Sequence, residues 1–440
     1  MVTDQSATMM ALVYQIVLWL GLPVVWLRLQ LRARRDPSYA PRQSERFGKV
    51  PGEVRQNCVW FHTVSAGETM AASPLIRQLS TEFSDLPFLV TTMTPTGSEQ
   101  VIQRLADCVD HCYAPYDFKF AVRRFFDAVQ PRLLVLMETE LWPNLIAEAH
   151  QRGVRVVLVN ARLSARSARG YSRVPGLTKT MLTRLSNIAC QSEEHLSRFV
   201  ALGASAITSQ ALGSVKYDVA LPEDFEIEVA DLRAKFSLGD RPLWIAASTH
   251  PGEDELILQA FTQVRGQNSK VCLLLVPRHP VRAQAVSALV VDAGYKAVRH
   301  SEYLVTSASP PPEGTPDVVV GDVMGSLLHL YGLAQIAFVG GSFVEMGGHN
   351  PLEPALCEIP ILCGPYQFNF THVMQDLERR GALRTVQDPT ALANSLIEYF
   401  DNADLRVEAG KAALGAFTEN RGATAKIAEL LRGHISATLV

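Results

Sequence analysis

Short apolar runs alternate with segments of helical spacing along most of this chain. In its first half the runs predict buried strands at Val59–His62, Phe88–Thr92, Leu133–Met137, Val154–Val159, Ile188–Gln191 and Thr208–Leu212. A segment that favours a helix follows most of them. This order of strand and helix is typical of a parallel sheet with helices on both faces.

The same alternation returns in the second half after an interruption. It predicts strands at Pro242–Ala247, Val271–Pro277, Ala297–Arg299, Val318–Val320, Ile336–Val339 and Ile361–Cys363. The interruption is acidic and contains Pro222, which indicates a linker. We therefore expect an α/β protein with two Rossmann-like, doubly wound domains, residues 36–220 and 241–440, joined by a linker at 221–240. Helical segments from Pro389 to Arg432 close the second domain, and a stretch rich in Ser and Pro at 301–316 predicts a surface loop.

The N-terminus departs from this alternation. Ala7–Leu27 carries no charge and is long enough to cross a bilayer, and four arginines follow at positions 28, 32, 34 and 35. The positive-inside rule then places the rest of the chain in the cytoplasm. Residues 1–35 are accordingly predicted to be a membrane anchor with a basic flank. An apolar helix docked on the body of the protein, or a monotopic anchor, is the alternative.

Composition excludes several classes of protein. The 440 residues carry a net charge of −3 with 19% charged residues, so nothing suggests a nucleic-acid partner. Seven scattered cysteines fit a reducing compartment better than a disulfide framework. Cys108, His111 and Cys112 could be imagined as zinc ligands, but no second ligand pair follows them, and no metal is expected.

A glycine-rich loop after the predicted strand Ile336–Val339 is the most informative segment. The loop ends at Asn350 and Pro351, which suit the N-cap and first position of a helix, and Glu353 falls in its first turn. Free N–H groups at a helix start favour an anion such as phosphate, whereas Glu353 suits a sugar hydroxyl better. The segment indicates a sugar-nucleotide site, with an ordinary loop of an α/β protein as the alternative.

Other polar residues follow predicted strands, where parallel sheets bind ligands. Glu68 follows the first strand and suits a general base, or else a simple helix cap. Glu138 and Glu140 stand two residues apart after the third strand, where they serve either chemistry or capping. Lys216 lies near the end of the first domain and suits charge neutralisation on a leaving phosphate, or else is a solvated linker residue.

Two further segments suit the binding of an anion. Arg278, after Pro277 at a strand end, is shaped to fork onto phosphate oxygens. Gly325 and Ser326, before Leu327, offer backbone N–H groups at another helix start.

These segments together resemble the 3-deoxy-D-manno-octulosonic acid (Kdo) transferases of lipopolysaccharide biosynthesis. The matching pieces keep their order across most of the chain: ERFG, HTVSAGE, TTMTPTG, METELWPN, NARLS, GSVKYD, ASTHPGE, VPRHP and GGHNPLEPA. The family has Ala where this chain has Thr63 and Val where it has Ala66. Both changes are small and leave Ser65, Gly67 and Glu68 in place.

The resemblance implies a GT-B fold with a cleft between its domains and inverting transfer of Kdo from CMP-Kdo to the lipid A precursor. It implies no metal and no cofactor, and a place on the cytoplasmic face of the bacterial inner membrane. Glu68 matches the general base, while Glu138 and Lys216 match positions that stabilise the transition state. We expect nearby cations to help keep Glu68 ionised by lowering its pKa. The positions that match the CMP-binding segments are Pro277, Arg278, Gly325, Ser326, Leu327, Asn350, Pro351, Leu352 and Glu353.

Two other functions stay open at this point. One is a different GT-B enzyme, a UDP-sugar transferase or an epimerase. The other is a non-catalytic, membrane-tethered protein that binds a sugar nucleotide. The number of Kdo residues added, the oligomeric state and the separate roles of Glu138 and Glu140 do not follow from the sequence.

Overall fold

The chain forms two compact units, each built on one parallel sheet. The computed structural model describes residues 2–305 and 315–439. The first unit comprises Met1–Asp218 and Arg421–Val440, and the second comprises Val219–Asn420. The α/β class and the two doubly wound sheets are therefore as predicted.

The first unit contains a seven-stranded parallel sheet in the order β3-β2-β1-β4-β5-β6-β7. Its elements are α1 (Val2–Arg35), β1 (Val59–His62), α2 (Ala66–Glu82), β2 (Phe88–Thr92), α3 (Pro95–Leu105), β3 (Asp110–Tyr113), α4 (Lys119–Val129), β4 (Leu133–Met137), α5 (Pro143–Gln151), β5 (Arg155–Ala161), α6 (Ala165–Tyr171), α7 (Pro175–Thr183), β6 (Asn187–Cys190), α8 (Glu193–Ala201) and β7 (Ser209–Ala211). Along β1, Trp60 packs into the core on one face, whereas Val59 and Phe61 pack into the core on the other. Both faces of the sheet are therefore covered.

The second unit repeats this plan with the order β10-β11-β9-β8-β12-β13-β14. Its elements are α9 (Phe225–Lys235), β8 (Leu243–Thr249), α10 (Asp254–Gln267), β9 (Cys272–Pro277), α11 (Ala283–Asp292), β10 (Ala297–Arg299), α12 (His300–Val305), β11 (Val318–Val320), α13 (Leu327–Leu333), β12 (Ile336–Val339), α14 (Leu352–Leu356), β13 (Ile361–Cys363), α15 (Thr371–Arg379), β14 (Leu383–Thr385), α16 (Pro389–Asp401) and α17 (Ala403–Glu419). In each sheet the chain crosses once from one side to the other, between β1 and β4 and between β8 and β12; in the second sheet β10 also lies outside β11, at the edge. Such switch points are where doubly wound sheets bind ligands.

The two strands that the sequence pattern did not predict, β3 and β14, both lie at sheet edges. Each mixes polar with apolar residues, as in Asp110-His-Cys-Tyr113 and Leu383-Arg-Thr385. An edge strand has only one neighbour and less apolar burial, so its sequence lacks the continuous apolar run of a central strand.

The last helix, α18 (Ala423–Ser436), belongs to the first unit, whereas the sequence-based division placed it in the second. Its apolar face, which includes Ile427, Leu431 and Ile435, packs into the same core as β1. The carboxylate of Asp218 accepts hydrogen bonds from the N–H groups of Gly422 and Thr424, both at 2.5 Å. The chain thus returns to the first unit beside the point where it leaves.

The predicted linker is also more structured than expected. Residues 221–240 contain α9, and Phe225 at its start is buried. A side-chain carbon added at Gly332 of α13 would meet Phe225 and Val229 at under 3 Å. The close fit explains why a segment with few core residues still forms a packed helix.

The loop predicted at 301–316 is likewise a helix at its start. Ser301–Val305 belongs to α12, and the Ser301 N–H and hydroxyl both donate to the Asp322 carboxylate, at 2.7 and 2.5 Å. Residues 306–314, the middle of that predicted loop, lie outside the described residues.

The predicted membrane segment is part of the long helix α1. Met9–Arg35 is long and apolar enough to cross a membrane, with a mean hydropathy of 2.0 in its most apolar window. Its apolar side chains are exposed on the outer face, among them Leu12, Leu20 and Val24. On the opposite side the Tyr14 hydroxyl donates to Asp117 at 2.8 Å, so the helix is also docked on the first unit.

Candidate active site

Glu68 lies at the switch point of the first sheet, in the first turn of α2. Ser65 caps this helix and accepts the Glu68 N–H at 3.3 Å. In return the Glu68 carboxylate accepts the Val64 N–H at 2.9 Å and the Ser65 hydroxyl at 3.0 Å. Glu68 therefore does cap its helix, as the structural alternative held. The capping bonds hold its carboxylate in one place, which a general base also requires.

The electrostatic setting of Glu68 differs from our expectation. Its side chain is buried, with 8% of the residue exposed. Its pKa is raised from 4.5 to about 8, chiefly by burial and also by the nearby carboxylates Glu140 and Glu138. The expected lowering by cations is wrong, because the charged groups that shift this pKa are both acidic. A base whose pKa lies close to neutral pH accepts a proton more strongly than an ordinary carboxylate.

Glu138 and Lys216, which are far apart in sequence, form an ion pair. Lys216 Nζ lies 3.2 Å from Glu138 Oε1, and the Arg162 guanidinium lies 3.8 Å from Glu138 Oε2. Glu138 directly follows β4 and has a positive φ of 53°, a backbone conformation that non-glycine residues rarely adopt. Such strained positions often occur at functional sites.

Glu140 stands apart from Glu138 in its contacts. The Trp142 indole N–H donates to Glu140 Oε2 at 2.8 Å. Burial raises the pKa of Glu140, and Glu138 raises it further. Glu138 is thus held by cations and Glu140 by a neutral donor. The structure separates two carboxylates that look equivalent in the sequence.

Sequence reasoning assigned no role to His62, the last residue of β1. Trp60 donates its indole N–H to the Thr91 hydroxyl at 2.8 Å, and His62 Nδ1 lies 3.1 Å from the same oxygen. Burial lowers the pKa of His62 to about 3, so the ring is neutral. Its Nε2 has no hydrogen-bond partner in the described part of the chain. The ring packs edge-on against Trp142 at 4.5 Å and so supports the tryptophan that holds Glu140.

In the second unit, Arg278 follows β9, whose last residue is Pro277. Its backbone N–H donates to the Thr249 carbonyl at 3.0 Å, which fixes the turn, while its side chain is exposed. The guanidinium lowers the pKa of His349 and opposes the raised pKa of Glu353. Arg278 therefore lies near the residues that follow the glycine-rich loop, as a shared site requires.

The glycine-rich loop after β12 is an anion cradle that the protein fills itself. Glu253 is fully buried, and its Oε2 accepts the N–H groups of His250 and Gly341 at 2.9 and 2.7 Å. Its Oε1 accepts those of Ser342 and Phe343 at 3.0 and 2.9 Å. The four N–H groups of His250, Gly341, Ser342 and Phe343 are therefore not available to a phosphate. These N–H groups already bind a carboxylate, which holds the loop to the turn after β8.

The end of the same loop keeps its polar groups closer to solvent. Asn350 Oδ1 accepts the Leu352 N–H at 3.1 Å, and its amide donates to Glu353 Oε1 at 3.3 Å. The helix α14 begins at Leu352, so Asn350 caps it from one residue farther away than predicted. Burial raises the pKa of Glu353, and the bond from Asn350 opposes that rise.

Gly325, Ser326 and Leu327 form the start of α13. Gly325 has a φ of 84°, which explains the glycine, and Leu327 is the first helical residue. The Ser326 hydroxyl donates to the Val323 carbonyl at 2.9 Å. Because the hydroxyl proton is used in that bond, the donors that this turn offers to a ligand are its backbone N–H groups.

A pair of histidines beside Arg278 was also missed. His250 Nε2 and His349 Nε2 lie 2.8 Å apart, and the rings are stacked with centroids 5.0 Å apart. Burial, together with the nearby Arg278, lowers the pKa of both, that of His349 to about 4. One neutral ring therefore donates to the other. The ASTHPGE motif, which contains both His250 and Glu253, was the available signal.

The residues considered as zinc ligands have other contacts. His111 Nδ1 lies 2.8 Å from the Val90 carbonyl, and its Nε2 lies 2.8 Å from the Ser98 hydroxyl. Both ring nitrogens are thus engaged within the protein. Burial raises the pKa of Cys112, which disfavours the thiolate that a metal needs.

Known proteins resemble the chain along nearly all of its length. Residues 41–219 match the family model described as 3-deoxy-D-manno-octulosonic-acid transferase (kdotransferase). The 3-deoxy-D-manno-octulosonic acid transferase of Haemophilus influenzae is 37% identical over 428 residues, which cover 96% of this chain and 98% of that protein. The enzyme of the same name from Bordetella pertussis is 33% identical, covering 93% of this chain and 96% of that protein.

A solved structure with little sequence identity to this chain has a similar fold. A glycosyltransferase from Rickettsia africae matches with a TM-score of 0.56 at 10% identity, over 86% of this chain and 99% of that one. At this identity the likeness shows the fold and nothing about the substrate.

Proposed function

The chain belongs to the family of Kdo transferases, and from this premise we propose that it transfers Kdo from CMP-Kdo to the lipid A precursor, with Glu68 as general base. The reaction is an early step of lipopolysaccharide core biosynthesis. We place it at the cytoplasmic face of the bacterial inner membrane, where α1 holds the enzyme beside a lipid acceptor.

The single observation that carries this proposal is the setting of Glu68. It is a buried carboxyl group with a pKa raised to about 8, fixed by two hydrogen bonds at the switch point of a parallel sheet. A residue with only a capping role gains nothing from a raised pKa. A general base gains proton affinity from it while remaining partly ionised near neutral pH.

The transfer would proceed by a single inverting displacement. Glu68 takes the proton of an acceptor hydroxyl as its oxygen attacks the anomeric carbon of Kdo. The bond from that carbon to the phosphate oxygen breaks, and CMP leaves with the electron pair. Negative charge therefore grows on the leaving phosphate, while the sugar ring becomes cationic in the transition state.

Charged side chains in both units suit this redistribution. Lys216 can neutralise the leaving phosphate, and its ion pair with Glu138 at 3.2 Å orients the ammonium group. In the second unit, Arg278 offers an exposed guanidinium for the CMP phosphate. Contacts of this kind are typically worth ~2–4 kcal/mol in a transition state.

Two turns of the second unit supply the remaining proposed contacts with CMP-Kdo, the sugar donor. We assign the backbone of Gly325, Ser326 and Leu327 and the Asn350–Glu353 segment to CMP, with Pro277 setting the position of Arg278. Glu353 is partly buried and accepts a bond from Asn350. Its other oxygen suits the ribose hydroxyls. Because Glu253 fills the start of the glycine loop, phosphate binding rests on Arg278 and the two turns instead.

The product of the purified enzyme tests the proposed substrates. Native protein incubated with CMP-Kdo and a tetra-acylated lipid A precursor in detergent is expected to release CMP and to increase the mass of the lipid by one or more Kdo residues. UDP-sugars should give no product and should not raise the melting temperature as CMP does. Stabilisation by UDP in preference to CMP would favour a UDP-sugar enzyme or an epimerase instead.

The non-catalytic alternative makes a different prediction for the same assay. A protein that only binds a sugar nucleotide would be stabilised by CMP-Kdo without releasing CMP. We expect release, because Glu68, Glu138 and Lys216 are all retained, and the last two form a close ion pair.

A further inference from the structure

An open apolar groove lies between α1 and the body of the first unit. It is lined by Leu22, Pro23 and Trp26 of α1 and by Phe47 and Phe120 of the body, and encloses about 500 Å³. We call it the α1 groove. Every lining side chain is apolar, and Phe120 and Trp26 are 41% and 54% exposed. Exposed aromatic side chains gathered at one place usually mark a binding surface.

The groove is held open by fixed contacts on both sides of it. The Tyr14 hydroxyl donates to Asp117, and the Gln15 amide donates to Asn144. One turn farther along the helix, the Trp19 ring lies 6.0 Å from that of Phe120. These contacts dock the first half of α1 on the body, and beyond the groove Leu29 is buried and the Gln30 amide donates to Gln43 at 2.8 Å, so the groove lies between two docked parts of the helix.

The margin of the groove is cationic. Arg28 follows the groove residue Trp26 by two positions, and the Arg32 guanidinium lies over the Tyr39 ring at 5.5 Å. Burial raises the pKa of Tyr116, while Arg46, Arg32 and Arg28 oppose the rise, so these cations lie near enough to act on it. Tyr116 in turn packs edge-on against Phe47 of the groove wall at 5.7 Å. An apolar groove with a cationic margin complements an acyl chain attached to an anionic headgroup.

The groove wall is connected to the base by a short path of hydrogen bonds. Arg46, the neighbour of Phe47, donates from Nη1 to the Met93 carbonyl at 2.8 Å. The Met93 N–H donates to the Val64 carbonyl at 3.1 Å, and the Val64 N–H donates to Glu68. On the other side, Asn144, which binds Gln15, follows the Glu140-Leu-Trp-Pro turn directly.

We propose that the α1 groove binds an acyl chain of the phosphorylated lipid acceptor, so that its sugar hydroxyl reaches Glu68 while its phosphate meets Arg28 and Arg32. The inference rests on the proposed function and adds the acceptor's lipid part to it. Each methylene buried in such a groove contributes about a fourfold gain in affinity. The groove therefore selects for an acylated acceptor over the bare sugar phosphate.

Leu22→Trp tests this site because it fills the groove while it keeps α1 apolar. The matched control is Leu20→Trp, the same change two residues away at a side chain that is 75% exposed and does not line the groove. In phospholipid-free detergent micelles we expect Leu22→Trp to raise the KM for a tetra-acylated lipid A precursor at least fivefold. The KM for CMP-Kdo, and the KM for the fully deacylated disaccharide bisphosphate, should not change. Leu20→Trp should match the native enzyme throughout.

Two results would overturn the inference. One is an unchanged KM for the acylated acceptor in Leu22→Trp. The other is an equal rise in KM for the deacylated acceptor, which would mean that the substitution acts through the protein and not through a displaced chain.

A second measurement needs no turnover, so it separates this site from the proposed function. A lipid A precursor with a photoreactive acyl chain should label Phe47 or Phe120 in the native enzyme and in Leu20→Trp. It should label them much less in Leu22→Trp.

Labelling without Kdo transfer would support acyl-chain binding in the α1 groove and contradict the proposed function. Transfer without labelling would overturn the groove. Loss of labelling on addition of equimolar phosphatidylethanolamine would also overturn it, because the occupant would then be any bilayer lipid.

Discussion

At the level of single residues, Glu68 has two properties that oppose each other. Its hydrogen bonds from Val64 and Ser65 favour the ionised form, whereas burial and the neighbours Glu140 and Glu138 disfavour it. Burial and the acidic neighbours outweigh the hydrogen bonds, and the pKa rises to about 8. A sequence motif can identify such a residue, but burial and neighbouring charges from distant segments decide its protonation.

The pH dependence of catalysis follows from this raised pKa. Only ionised Glu68 can accept a proton, so kcat/KM should increase with pH and level off above about pH 8. Steady-state assays between pH 5.5 and 9.5 with saturating CMP-Kdo measure this limb. A kcat/KM that is already level across this range, as a glutamate with the ordinary pKa of 4.5 would give, would mean that burial of Glu68 does not govern the reaction.

The same shift predicts an effect on stability. As pH rises from 4.5 to about 8, the unfolded carboxyl group ionises while the folded one stays protonated, so the native protein loses stability over this range. Glu68→Gln does not titrate and keeps an oxygen that can accept the Val64 N–H. We therefore compare the melting temperature of Glu68→Gln with that of the native protein at each pH. The difference, variant minus native, should be several degrees larger at pH 8.5 than at pH 5. The same difference at both pH values would contradict a raised pKa.

At the level of elements, the glycine-rich loop after β12 shows where sequence reasoning ends. The strand, the glycines and a helix after them were predicted from the residues, although α14 begins one residue later than predicted. The carboxylate in the loop was not, because Glu253 follows β8, nearly ninety residues earlier. Central strands such as β1, β4 and β12 were predicted to the residue because they are continuous apolar runs. The edge strands β3 and β14 and the place of α18 depend on neighbours that the sequence does not specify.

Glu253→Gln tests the structural role of this loop. Glutamine keeps one acceptor oxygen and turns an NH₂ group toward two of the four backbone N–H donors. Leaving two buried donors unpaired costs roughly 2–6 kcal/mol, so the melting temperature should fall by several degrees and the KM for CMP-Kdo should rise. Glu255→Gln, an exposed neighbour in α10, is the matched control and should behave like the native enzyme. Equal stability of the two variants would show that the loop does not depend on Glu253.

At the level of the whole molecule, the chain divides the proposed tasks between two units. Glu68, Glu138 and Lys216 belong to the first, and Arg278 and the Asn350–Glu353 turn belong to the second. The second unit is an insertion into the first, because α18 returns to the core beside β1 and Asp218 binds the start of that return. The sequence predicted two units of this class but not this insertion, since nothing in α18 alone indicates which core it joins.

This division means that donor binding and transfer can be measured separately in one variant. Glu68→Gln alters the first unit and leaves every proposed CMP contact in place. Its affinity for CMP-Kdo should therefore equal that of the native enzyme, whatever happens to the chemical step. Glu82→Gln makes the same change at the other end of α2, at a surface pair with Arg432, and is the matched control.

Single-turnover transfer of Kdo from enzyme-bound CMP-Kdo to the lipid A precursor at pH 8 shows whether Glu68 is the general base. We predict that Glu68→Gln lowers the rate at least 100-fold, as expected for the loss of a general base, while Glu82→Gln transfers at the native rate. Transfer by Glu68→Gln within a fewfold of the native rate would show that Glu68 only caps α2, and would contradict the mechanism.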